Sequence, residues 1–151
     1  MTRKSNVTVM RPAPNIVRVV SALILNERDE MLMALRRTTD KRPNCWENPG
    51  GKVEAGETDQ EALRREMREE LGVEVDVHEF VSMGRLDSDE TFFVSLYHAT
   101  IREGTPQPLA SQALRWMTPE HAIIWETCSP ATHLFYRDLI NFVSRPNASQ
   151  G

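Results

Sequence analysis

The chain has 151 residues, of which 40% are hydrophobic and 26% charged, with a net charge of −4. That length predicts one domain whose core needs no disulfide staples. So mild a charge argues against a nucleic-acid polymer or an anionic membrane surface as partner. Cys45 and Cys128 belong to no C-x-x-C pattern and read as free thiols in a reducing compartment. The basic opening MTRKSNVTVMRPAP has no apolar run of signal-peptide kind behind it, and VVSALIL is too short to span a bilayer. The expectation is a soluble cytoplasmic protein with no membrane contact.

Residues 1–14 are polar, end in Pro12 and Pro14, and read as a flexible arm. The β-branched run Ile16 to Leu25 predicts a strand. A turn over Asn26 to Asp29 leads to a second strand, Met31 to Leu35, expected to pair with the first as a hairpin. TTDKRPNC, residues 38–45, reads as a loop, and Trp46 opens the stretch leading to Gly50 and Gly51. Thr58 caps a helix, with Glu61 three residues on completing a capping box. Leu63, Met67 and Leu71 form its buried stripe, and Gly72 ends it where a left-handed residue is wanted. Further strands are expected at about 75–86, 91–101 and 113–117, with the loop REGTPQPLASQ before the last. Ser129 and Pro130 open a final helix with Leu134, Phe135, Leu139, Phe142 and Val143 on its apolar face, stopping before Pro146. Residues 146–151 read as a disordered tail, leaving one domain over 15–145. The irregular alternation of strands and helices favours a mixed central sheet between helices.

Glu66, Glu69 and Glu70 pose the chemical question. With Glu66 as reference, Glu70 lies about 40° to one side and Glu69 about 60° to the other. The three carboxylates share a face bordering the apolar stripe, where desolvation makes their repulsion costlier. A divalent cation relieves that conflict, and oxygen-only donors suit Mg²⁺ or Mn²⁺. Arg65 stands beside Glu66 and four residues before Glu69, so it can hold Glu69 in place. Gly50 and Gly51 let backbone approach a ligand, and Lys52 can meet a phosphate. Taken singly, glutamates on a helix are ordinarily a solvated face, and a Gly-Gly pair is ordinarily a turn. A phosphate-binding loop of the G-x-x-x-x-G-K-[ST] kind is excluded by Trp46 and Val53.

The whole register resembles the Nudix hydrolase family, whose signature is G-x5-E-x7-R-E-U-x-E-E-x-G-U with U a bulky apolar residue. Gly51, Glu57, Arg65, Glu66, Met67, Glu69, Glu70, Gly72 and Val73 fill every specified position. The resemblance implies an α/β/α sandwich and a Mg²⁺-dependent pyrophosphohydrolase that cleaves the diphosphate linkage of a nucleoside diphosphate joined to a group X. It also implies Glu57, Glu66, Glu69 and Glu70 as metal ligands, with Glu66 or Glu69 as proton acceptor. Arg65 would orient a glutamate, and Lys52 with the backbone of Gly50 and Gly51 would hold phosphate oxygens. Many relatives are dimers, so a homodimer is left open.

The text from Trp46 and Glu47 through Glu54 looks like the MutT-type branch, which hydrolyses nucleoside triphosphates, some oxidised. Arg36 and Arg37 lie where that branch has an arginine touching the nucleotide. The chain departs from it at three places. Asn48 replaces a phenylalanine, Thr132 replaces a base-reading asparagine, and Ala110 to Gln112 hold no late metal-binding glutamate. The resemblance therefore implies a small nucleotide substrate, first a nucleoside triphosphate, without fixing the base. The alternatives are ADP-ribose or a nucleotide sugar and, from another class, a module that binds a nucleotide without cutting it. The four histidines form no ligand spacing and read as structural or surface residues.

Overall fold

The computed structural model describes residues 15–146, so the expected arm at 1–14 and all of the expected tail but Pro146 lie outside the described residues. The strands are β1 (Ile16–Leu23), β2 (Met31–Leu35), β3 (Trp46–Glu47), β4 (Gly50–Lys52), β5 (Glu74–Asp87), β6 (Thr91–Glu103) and β7 (Ala113–Met117). The helices are α1 (Asp59–Leu71), α2 (Pro119–Trp125) and α3 (Pro130–Val143). A four-stranded sheet runs in the order β4-β1-β6-β5 and a three-stranded sheet in the order β3-β2-β7. The first is mixed, because β1 lies parallel to β6 and antiparallel to β4. The expected mixed sheet between helices is present, divided into two.

Each layer follows from side-chain alternation along β1. Val20 and Ala22 face one way and join Leu63, Met67 and Leu71 of α1 in one core. Leu23 faces the other way and joins Leu96 of β6 with Phe135, Leu139 and Phe142 of α3. Helix α3 departs from expectation at Leu134, which is 47% exposed, while Thr132 takes a fully buried place.

The expected hairpin of the first two strands does not form. Strand β1 spends its edges on β4 and β6, and β2 pairs instead with β3 and β7. They meet near the turn, through the Leu25–Met31 bridge and bonds from Leu32 N–H to the Ile24 carbonyl and from Asn26 N–H to the Glu30 carbonyl. Residues 24 and 25 thus carry the chain between sheets. The Gly50–Gly51 stretch, expected as a loop, is the edge strand β4, with Gly50 opposite Ser21 and Gly51 opposite Val20. Helix α2 was not expected, although Thr118 caps it and Pro119 opens it, the same signal that announces α3.

The helix that carries the acidic residues is fixed at both ends. Thr58 Oγ1 accepts the Glu61 N–H at 3.1 Å and donates to the Glu61 carboxylate at 3.1 Å, a side-chain variant of the expected capping box. Gly72 sits at φ 69°, a left-handed conformation, and its N–H returns to the Arg68 carbonyl. The segment after β6 then covers the C-terminus of α1. Gln107 and Leu109 donate their N–H groups to the Leu71 and Glu70 carbonyls, which otherwise lack partners at a helix end.

Candidate active site

Arg65 is the hub of the acidic helix. Its Nε and Nη2 each donate to a Glu57 oxygen at 2.8 Å, a bidentate pair. Nη1 donates to Glu66 at 2.9 Å and to Glu69 at 3.3 Å, and Nη2 also reaches the Lys52 carbonyl at 3.0 Å. The Arg65 hydrogen bonds, aided by the Glu54 N–H, pull the Glu57 carboxyl down to about 2. Arg65 in turn is held more firmly in its charged form, chiefly by Glu57. Most of the expected crowding is therefore relieved by a cation that the sequence itself supplies.

Glu70 has no such relief. It lies toward the sheet, where its carboxylate accepts the Gly50 N–H at 3.2 Å. Burial pushes its carboxyl up to about 8, and the nearby Glu66 and Glu47 push in the same direction. Burial also raises the Glu66 carboxyl, against the pull of Arg65. Glu47 is raised by burial too, although Arg36 bonds both its oxygens at 3.0 and 3.3 Å. Among the described residues, no cationic side chain hydrogen-bonds to Glu70.

The glycines are explained by space. A Cβ on Gly50 would stand 2.7 Å from Ser21 Cα and 2.8 Å from the Val20 carbonyl carbon. One on Gly51 would stand 2.7 Å from Glu66 Oε2 and closer still to its carboxyl carbon. Neither glycine has positive φ, so close approach rather than unusual dihedrals requires them. Gly51 leaves room for the Glu66 carboxylate, and Gly50 lets β4 press onto β1 and aim its N–H at Glu70.

A hard divalent cation fits this donor set, since every donor is oxygen and Glu70 lies near Glu66 and Glu47 with no cationic side chain bonded to it among the described residues. The side chains as they stand do not close a ligand shell. Among the described residues, no three His, Cys, Asp or Glu groups converge on one point, and Arg65 holds Glu57, Glu66 and Glu69 on its own guanidinium.

A cavity of about 580 Å³ opens beside Glu70, while Glu66 lies against Gly51 and off the cavity lining. Gly50, Gly51, Lys52 and Glu70 line one part, and Arg36, Arg37, Lys41 and Arg42 line another. Arg37 is anchored through Nη2 to the Leu109 carbonyl at 2.9 Å. Gln112 Nε2 braces the same loop on the Arg36 carbonyl and on Asn44 Oδ1. The structure thus brings Gly50, Gly51, Lys52, Glu70, Glu47 and Arg37 to one cavity. It sets Glu57 and Glu69 to the side on Arg65, with the Glu69 side chain 58% exposed.

The sequence marks Ser129 only as the opener of the last helix, and Asn48 and Thr132 only as departures from the branch. All three are buried and line the cavity. Their signal was the presence of polar side chains at positions otherwise belonging to the core.

Comparison with known proteins agrees with this geometry. A family profile described as NUDIX domain matches residues 15–137. The chain is 39% identical over 110 residues to the CTP pyrophosphohydrolase of Escherichia coli (strain K12), covering 72% of this chain and 80% of that one. It is 35% identical over 102 residues to the "Putative 8-oxo-dGTP diphosphatase 2" of Mycobacterium tuberculosis, covering 63% of this chain and 70% of that one. The solution structure of the E. coli ORF135 protein superposes with a TM-score of 0.74 at 31% identity, covering 91% and 99% of the two chains. The MutT protein of Methanosarcina mazei Go1 shares the fold, with a TM-score of 0.78 at 20% identity over 89% and 100%.

Proposed function

Since the chain belongs to the Nudix hydrolase family, we propose that it is a Mg²⁺-dependent (or Mn²⁺-dependent) pyrophosphohydrolase that converts a nucleoside triphosphate and water to a nucleoside monophosphate and pyrophosphate. The observation that carries this reading is Glu70, set beside Glu66 and Glu47 with no cationic side chain bonded to it among the described residues, at the edge of a cavity that also carries five cationic side chains. The size suits a nucleotide, since small-molecule sites span roughly 300–1,000 Å³.

Glu66 and Glu70 would hold the metal first, with Glu69 and Glu57 joining as Arg65 releases or shares them. A divalent cation held there would supply stabilisation of charge on the phosphates and a lowered pKa for a water. The remaining roles belong to the chain. Lys52, Arg37 and backbone at Gly50 and Gly51 hold the phosphates. Arg65 orients Glu66, which accepts the proton as the water oxygen bonds to phosphorus and the bridging P–O bond breaks toward the leaving group. Glu66 is preferred to Glu69 for this task because it lies against Gly51 beside the cavity, whereas Glu69 is turned to solvent. Glu47 fixes Arg36 at the rim. A cytoplasmic location belongs to the same proposal and is supported by the free thiols of Cys45 and Cys128. Among the described residues, no helix is long and apolar enough to cross a membrane.

The test is product analysis after incubation with Mg²⁺ and separate nucleoside triphosphates, ADP-ribose and nucleotide sugars. Monophosphate plus pyrophosphate is expected. Turnover of ADP-ribose or a nucleotide sugar alone would replace the substrate, and no Mg²⁺-dependent turnover of any would remove the activity.

A further inference from the structure

Asn48 is a polar side chain only 5% exposed, between β3 and β4, on the lining of the cavity. A directed chain of hydrogen bonds fixes its amide. Thr132 N–H donates to Ser129 Oγ at 3.4 Å, and because the Thr132 hydroxyl spends its proton on Asn48, the Ser129 hydroxyl is the donor of their 3.2 Å contact. Thr132 Oγ1 then donates to Asn48 Oδ1 at 3.0 Å. The carbonyl oxygen is thereby occupied, and the NH2 end is left with one weak partner, Met31 Sδ at 3.7 Å. Flipping the amide would set its oxygen against that sulfur, a poor contact between two acceptors. Leu86, Phe92, Val94, Ala131 and Phe135 supply apolar lining to the same cavity. The result is a slot with apolar walls and one N–H donor lacking a good partner, a costly arrangement until an acceptor arrives.

Building on the nucleotide reading of this cavity, we infer that Asn48, held in one orientation by Thr132 and Ser129, selects the substrate's base. It favours bases that offer a carbonyl oxygen, namely cytosine, uracil and guanine or its oxidised form, over adenine. Adenine has no carbonyl, and the ring acceptors beside its amino group would bring a donor toward the donor of Asn48. Rejection by an unpaired buried polar group discriminates far more strongly than a missing methylene does.

The experiment compares kcat/KM for CTP, UTP, GTP and ATP with Mg²⁺. At least one carbonyl-bearing base should exceed ATP by on the order of 10- to 100-fold. Asn48→Leu should cut that ratio at least tenfold. Asn48→Asp, which still accepts from Thr132 but offers oxygen instead of N–H, should move it toward ATP. Thr132 acts through Asn48 and is a positioning residue. Thr132→Val should narrow the base ratio rather than lower all four rates alike, and Thr132→Ser should restore it. Independently of catalysis, the Asn48 side-chain amide resonance should shift on titration with the preferred base's monophosphate and stay in place with AMP. Equal kcat/KM for all four bases, or an unchanged ratio in Asn48→Leu, overturns the inference while leaving the hydrolase reading intact. If no triphosphate is turned over, the hydrolase reading fails, and the amide titration alone decides this one: a shift with CMP, UMP or GMP but not AMP upholds it, and any other pattern overturns it.

Discussion

Glu57 and Glu70 both lie in the 51–73 signature, and their surroundings take them in opposite directions. Two guanidinium nitrogens of Arg65 hold Glu57 and bring its carboxyl down to about 2. Glu70 is half-buried among other carboxylates with one backbone N–H, and its carboxyl is pushed up to about 8. The comparison teaches that a row of glutamates is not one object. One part closes on an internal cation and acts as a strut, while the other is left without a cationic partner among the described residues, the opening that the proposed metal would fill.

The comparison breaks most sharply at Glu70. Glu70→Gln keeps the shape and removes an oxygen donor that the proposed metal would use, so kcat/KM with Mg²⁺ should fall about 10²- to 10³-fold, as for loss of a group that stabilises transition-state charge. The melting temperature should hold or rise, because a carboxyl whose ionised form burial disfavours is replaced by a neutral amide. Next comes Gly51→Ala, whose Cβ would displace the Glu66 carboxylate. It should lower kcat/KM on the order of tenfold or more, as misplacement of a working group does, and raise the Mg²⁺ concentration needed for half activity.

The strut is sharpened by Arg65→Lys, which keeps the charge but loses the two-pronged geometry. Turnover should fall about tenfold, with a melting curve more sensitive to salt. The pair also predicts a pH window. Glu57 is lowered from its ordinary value of 4.5 to about 2, so its stabilisation is complete above 4.5 and is lost as pH falls toward 2. Acid unfolding of Glu57→Gln should lack that component. The smallest effect is expected on the opposite layer, at His98. It is 1% exposed, its Nδ1 has no hydrogen-bond partner among the described residues, and it packs on Phe142. Burial depresses it below 6.5, as do His78 and Arg145 against the pull of Glu79. Its unfolded form takes up a proton first, so stability is lost as pH drops through about 6.5. His98→Phe should flatten the melting temperature between pH 7 and pH 5 by a few degrees.

Much of this was legible because local chemistry repeats reliably. The Thr58 cap, the Leu63–Met67–Leu71 stripe and the left-handed Gly72 are written within a few residues and appear in place. The partners of β1 were not legible, because a run buried over its last four residues does not say which strands will lie beside it. The strand character of Gly50–Lys52 was hidden for the opposite reason: glycine has low strand preference, and only contact with Val20 and Glu66 requires it there. At the site, the sequence places the acidic residues on one helix face but cannot assign each its partner. Which glutamates Arg65 would take depended on the approach of Lys52 and Glu57 from outside the helix. Asn48 and Thr132, 84 positions apart, became a pair only through the packing of α3 against the strands.

The most direct test of the open carboxylate pair is a titration with Mn²⁺ followed by electron paramagnetic resonance, on the native chain, on Glu70→Gln and on the distant Asp76→Asn. The account predicts saturable binding by the native chain, weakened at least tenfold in Glu70→Gln and unchanged in Asp76→Asn. Equal Mn²⁺ affinity in all three, or none in the native chain, would contradict it.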